Sequence, residues 1–283
     1  MARTVLVTGA SGSLGRAVVK AVSAKGFEVE AATRDLSKIK PTPGVAVVRL
    51  DYADPTTFAP ALEGAEAVVL MAPPMDPEAP DKLIPFIEKA KTTAVEHVVL
   101  ISAMGVDQNE QAPLRIIERA LMDSGLGYTI LRPNFFMENF STGSIAPMIQ
   151  QMGGIFLAAG DAKTSFVSTR DIAEVAAVAL AEGRTGKEYT LTGPDALDHT
   201  EVAARISAAA GREIAYYALD EETMLQGARD NDMPEGAVQY LGVLYGAVRA
   251  GYTAAVTSDV AQVTGREATT FDEFVAENAE CWR

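Results

Sequence analysis

The 283-residue chain has a single cysteine, Cys281, so no intramolecular disulfide framework can staple it. None is needed, because a chain near this length buries roughly 75% of its unfolded surface. Its two histidines, His97 and His199, fall on a strand start and a predicted helix cap, and with one cysteine they make no metal constellation. Asp230-Asn231-Asp232 begins like a calcium loop, but Pro234 and Gly236 break that pattern. Basic residues are in deficit. The 24 Lys and Arg against 38 Asp and Glu leave a formal charge of −14, which argues against nucleic acid as a partner. No apolar run approaches a membrane span, and residues 1–10 read as the first strand, so neither a signal peptide nor an anchor is expected. The expectation is a protein of a reducing cytoplasm. Internal repeats, low-complexity tracts and a Gly-x-Ser-x-Gly elbow are also missing.

What is present is organised around Thr4-Val5-Leu6-Val7-Thr8-Gly9-Ala10-Ser11-Gly12-Ser13-Leu14-Gly15. A β-branched run ends in three glycines spaced three apart. Leu14, Ala17, Val18, Ala21 and Val22 then recur at the spacing of one buried helix face. This reads as strand, tight turn, helix. Gly9 permits the turn, Gly12 lets the backbone approach a ligand, and Gly15 lets helix and strand pack closely. The free N–H groups of the helix start, among Ser11, Ser13 and Leu14, form a site for a dinucleotide pyrophosphate. The plainer alternative is a βα turn with surplus glycines.

Strand and helix signals alternate onward. Strands are expected at 28–33, 45–50, 65–71, 97–102 and 128–131, with helices at 80–90 and 113–124. Strands separated by helices imply parallel pairing in a doubly wound sheet, an α/β fold. From Pro133 the period is lost until a strand at 165–167, a helix from Thr169 to Ala181 and a strand at 188–192. Further helices are expected near 200–210 and toward the end, where Val238, Leu241, Tyr245 and Val248 share a face, with a late strand at 214–218. Residues 1–133, with 165–192 returning to the sheet, are assigned to nucleotide binding. Residues 134–164 and 193–283 form a smaller substrate lobe of α/β type. In doubly wound sheets ligands sit beyond the carboxyl ends of the strands. That directs attention to Gly9, Thr33-Arg34, Asp51-Tyr52, Met71 to Pro74, Ser102 and Pro133 to Phe136.

The stretches Thr8 to Gly15, Thr33-Arg34-Asp35, Leu50-Asp51, Leu131-Arg132-Pro133-Asn134 and Val167 to Ala173 together resemble the NmrA-like atypical short-chain dehydrogenases. Within that family the chain is most similar to quinone reductases and triphenylmethane-dye reductases. The motifs support the likeness over residues 1–195. It implies a Rossmann domain, NADP(H), and either reduction of a conjugated small molecule or a redox-sensing role. By the same resemblance Asp51 would face the adenine amino group, with Tyr52 beside the ring. The Met71-Ala72-Pro73 wall would lie along the ribose, and Pro133-Asn134 would mark the nicotinamide end.

Nucleotide choice is legible. NAD-preferring folds place an acid at the tip of the second strand. Here Thr33 leaves room for a 2′-phosphate, Arg34 offers a bidentate fork and Lys38 follows one turn on, although Asp35 adjoins them. The Tyr-x-x-x-Lys pair of most short-chain dehydrogenases is absent, since none of the eight tyrosines has Lys four residues later. Leu114 and Glu118 would occupy those places. Glu118 is either a site residue or a helix-edge ion pair with Arg115 or Arg119. Without a positioned acid, hydride addition to a simple ketone is disfavoured, whereas quinones and delocalised cations yield stabilised products. Asn134, Glu118 and Ser102 are the candidate catalytic residues. Phe135, Phe136 and Phe140 either line an apolar pocket or belong to the core. Two functions follow: an NADPH-dependent reductase, monomeric or homodimeric, or an NADP(H)-sensing protein that binds a partner without turnover.

Overall fold

The computed structural model describes residues 3–40 and 42–283. The opening apolar run forms β1 (Thr4–Val7), and the helical spacing after it forms α1 (Ser13–Ala24). The alternation continues through β2 (Glu28–Thr33), β3 (Val45–Arg49), a one-turn α2 (Phe58–Ala61), β4 (Ala67–Met71) and α3 (Ala79–Ala90). It closes with β5 (His97–Ile101), α4 (Pro113–Met122) and β6 (Gly127–Pro133). Then come α5 (Ala146–Met152), β7 (Gly154–Leu157), α6 (Thr169–Ala181) and β8 (Lys187–Leu191). The remainder is α7 (His199–Ala210), β9 (Ala215–Ala218), α8 (Glu221–Asp230), α9 (Glu235–Arg249), α10 (Asp259–Thr264) and α11 (Phe271–Asn278).

Seven strands pair in the order β3-β2-β1-β4-β5-β6-β8, every pairing parallel. The order reverses between β1 and β4, so a crevice opens there beyond the strand ends. Alternation along β1 divides the core: Val5 and Val7 pack with α1 and α6 on one face, while Leu6 packs with α3 and α4 on the other. A third apolar core, with Phe140, Phe166, Phe271 and Trp282, lies outside the sheet and draws on residues 137–282.

Two expectations about the second half need correction. Residues 165–167 are not a strand; Val167 makes one isolated bridge, with Phe136, and the preceding Thr164 another, with Leu197. The Ser165 N–H and hydroxyl instead donate to the Thr253 and Ala255 carbonyls, tying down the segment before α10. The aperiodic stretch after Pro133 contains α5 and β7, of seven and four residues, too short to display a period. The Thr169-Arg170-Asp171 sequence is a clamp. The buried Asp171 carboxylate accepts from Thr269 N–H at 2.7 Å and from Arg266 at 2.9 Å, which fastens the C-terminal helices to α6.

Candidate active site

A cleft of about 740 Å³ runs along the carboxyl ends of β1, β2, β4 and β5. Its floor is the glycine turn. Gly9 adopts a left-handed φ of +62°, and Gly12 precedes α1 in an extended conformation. A Cβ on Gly15 would overlap the Gly9 carbonyl oxygen and come within 2.7 Å of Ala10 Cα, so only glycine fits. The start of α1 has no side-chain cap and no acid in its first turn, whereas α7, α8 and α11 are capped by Asp198, Asp220 and Thr270. Uncapped N–H groups facing a cleft suit an anion. Ser11, Ser13 and Leu14 line the cleft beside them.

At the tip of β2, Thr33 is buried, and Arg34 and Lys38 line the cleft. Asp35 makes no ion pair with either of them. Its carboxylate accepts from the Ser37 hydroxyl at 2.7 Å and the Ser37 N–H at 3.0 Å, and these bonds hold it below the usual carboxylate range. Neither Arg34 nor Lys38 is in an ion pair among the described residues. Asp51 and Tyr52 lie on the same wall. The Tyr52 hydroxyl donates to the Met71 carbonyl at 3.2 Å, joining the ends of β3 and β4. Burial pushes that phenol well above its ordinary value. Met71, Ala72, Pro73 and Pro74 continue the wall, and the Met71 N–H donates to the Thr8 hydroxyl.

At the other end the structure corrects several sequence expectations. Leu114 lines the cleft, but Glu118 is fully buried behind it. One Glu118 oxygen accepts from Ser102 at 2.6 Å and Arg132 Nε at 2.8 Å; the other accepts from Arg115 at 2.9 Å and Arg132 Nη2 at 2.7 Å. Burial alone would raise this carboxyl, yet the bonds from Arg132, Ser102 and Arg115 outweigh it and hold the group ionised. Among its four hydrogen bonds, only the one from Ser102 connects Glu118 to a residue that lines the cleft. Asn134 is also misplaced by the sequence reading. Its buried amide donates to Ser165 Oγ and the Thr253 carbonyl, each at 2.8 Å, and it has no place on the cleft wall. Pro133 is buried, its carbonyl accepting from Met104 N–H. Of the three phenylalanines only Phe136 reaches the cleft. Phe135 leans on Tyr245, and Phe140 sits wholly buried among Phe166, His199 and Phe271.

Among the cleft residues that the sequence does not single out are Asn139, Lys82 and Tyr240. Asn139 enters because Glu138 accepts from the Ser168 hydroxyl and the Thr169 N–H, fixing the turn over the start of α6. Lys82 lines the wall but is held by Asp76 at 2.6 Å. Tyr240 arrives from α9, about 100 residues beyond the rest of the site. A legible face existed for α9, with Val238, Tyr245 and Val248 buried, but nothing in the sequence says what the adjoining face overlooks.

Comparison with known proteins agrees with this geometry. A family profile described as NAD(P)H-binding matches residues 9–183. The chain belongs to that NAD(P)H-binding family. Among curated proteins it is 33% identical to the NAD(P)H azoreductase of Xenophilus azovorans, over 97% of this chain and 98% of that one. It is 32% identical to the prestalk A differentiation protein A of Dictyostelium discoideum, over 97% of this chain and 92% of that one. Among solved structures, the Escherichia coli NADPH-dependent quinone oxidoreductase in complex with NADPH superposes with a TM-score of 0.83. It shares 26% identity, covering 96% of this chain and 99% of that one.

Proposed function

We propose that this chain is an NADPH-dependent reductase of quinone-like or cationic conjugated small molecules. The observation that carries the reading is the replacement of the proton-donating pair. Leu114 is apolar, and the Glu118 oxygens behind it are filled by Ser102, Arg115 and Arg132, so α4 offers the cleft no acid. Acceptors whose conjugation stabilises the incoming electron pair suit such a wall. The names of the azoreductase and quinone oxidoreductase relatives support the same class.

The residues present fit NADPH. In this reading the glycine turn and the bare start of α1 hold the pyrophosphate, Arg34 and Lys38 hold the 2′-phosphate, and Asp51 and Tyr52 flank the adenine. Met71, Ala72 and Pro73 face the ribose, and Phe136 and Asn139 border the acceptor. Residues 1–133 and 165–192 hold the nucleotide, while 134–164 and 193–283 cover the acceptor. The nucleotide supplies a hydride; the protein supplies orientation and exclusion of water. The test is NADPH consumption by purified protein with a panel of quinones, azo dyes and triphenylmethane cations. Turnover of at least one class is expected. Tight NADPH binding with no turnover of any would overturn the reading in favour of an NADP(H)-sensing protein.

A further inference from the structure

Neutral acceptors such as quinones and azo compounds still need a proton, or a hydrogen bond to the atom that receives the displaced electron pair. The cleft-lining hydroxyls near β2, β4 and β5 cannot give one. The Thr33 hydroxyl donates to the Asp35 carbonyl, Tyr52 to Met71, and Ser102 to Glu118. The cation nearest the β4 loop, Lys82, is held by Asp76. Ser11 and Ser13 belong to the anion turn at the start of α1. Tyr240 differs from all of these: it lines the cleft, half-buried, and its hydroxyl has no partner among the described residues.

The placement of α9 puts that hydroxyl over the cleft. Near its start, Gly236 lies against Pro77 of the loop after β4, where a Cβ would sit 3.4 Å from Pro77 Cγ. Near its end, Tyr245 packs on Phe135, with ring centroids 6.1 Å apart, beside the cleft residue Phe136. The helix therefore bridges the cleft from one wall to the other. Tyr240 follows Gly236 by four residues, on the same helical face.

We propose that Tyr240 is the hydrogen-bond and proton donor to neutral acceptors, a catalytic role carried by the C-terminal region in place of the pair missing from α4. The proposal rests on the reductase reading. As hydride adds to the acceptor, the π electron pair moves onto its oxygen or nitrogen. The Tyr240 O–H bond breaks, the new O–H or N–H bond forms, and the phenolate recovers a proton from water at the cleft mouth. Each turnover consumes one NADPH and one solvent proton. The phenol is protonated at neutral pH, and burial raises it further, so its proton leaves only as the acceptor atom gains the electron pair. A triphenylmethane cation needs no such donor, because hydride alone yields its neutral product.

Tyr240→Phe keeps the ring and removes only the hydroxyl. The ratio of kcat on a quinone or azo dye to kcat on a triphenylmethane cation should fall on the order of 100-fold. Independently of turnover, quinone affinity in the non-reacting complex with NADP+ should weaken roughly 2- to 10-fold, read by calorimetry. An unchanged ratio, with equal losses on both acceptors or none, would overturn the proposal, as would unaltered quinone affinity. Unmutated protein that reduces neither acceptor overturns the reductase reading instead, while the titration still reads the Tyr240 contact.

Discussion

In the proposed function Arg34 is the residue that selects the nucleotide. It lines the cleft at the tip of β2 and is in no ion pair among the described residues, while the adjacent Asp35 accepts two hydrogen bonds from Ser37. A bidentate contact to a 2′-phosphate is worth roughly 1.5–3 kcal/mol, so Arg34→Ala should weaken NADPH about 10- to 100-fold and leave NADH nearly unchanged. Calorimetric titration of both nucleotides checks this; equal losses would make Arg34 a plain surface residue. Salt should shrink the effect, because Arg34 is exposed. Gly15 is the steric counterpart. Its missing Cβ is replaced by the backbone of Gly9 and Ala10, which cannot yield without opening the turn. Gly15→Ala should cost about 1–3 kcal/mol of stability and weaken both nucleotides, unlike the Arg34 variant. Equal binding by the Ala variant would show that the turn has room to give.

At the scale of the element, α4 is where sequence and structure part company most usefully. Its helical spacing places Leu114, Glu118 and Leu121 on one face, and all three do face inward. The sequence could not say that Arg132, fourteen residues on in β6, would turn back to meet Glu118. A carboxylate at the right spacing for catalysis is thereby spent on packing. Glu118→Ala leaves Arg132 buried with Glu188 and, at 4.0 Å, Asp107 as its remaining acidic partners and should destabilise the fold by about 3–5 kcal/mol in urea unfolding. A loss below about 1 kcal/mol would mean the network contributes little. The same limit explains Asn134, whose partners Ser165 and Thr253 lie 31 and 119 residues away. Local signals were reliable: the β-branched run of β1, the glycine turn and the helical spacing of α1 all stand where the residues suggested. What stayed hidden depends on long-range contact, such as the arrival of Tyr240 over the cleft.

At the scale of the molecule, the sheet and the third core are each closed over a buried histidine. His97 Nε2 bonds the Thr129 hydroxyl, and its Nδ1 has no partner among the described residues; His199 lies among Phe140, Phe166 and Tyr216. Burial pushes both imidazoles down to about 4. The unfolded chain protonates each near 6.5, so it binds more protons than the folded chain between those values, and stability falls as pH drops through that window. By pH ~5 each histidine should cost about 2 kcal/mol, checked by urea unfolding across pH ~5–7. A flat profile would mean the rings are solvated or paired. In the proposed function, hydride passes directly from a nicotinamide in the cleft to a conjugated acceptor. The measurement that bears on it most directly uses NADPH deuterated at C4 on one face or the other, with a triphenylmethane cation as acceptor. One label should transfer the deuterium to the central carbon of the product and the other should not. A product without deuterium from either label, or no product at all, would contradict the account.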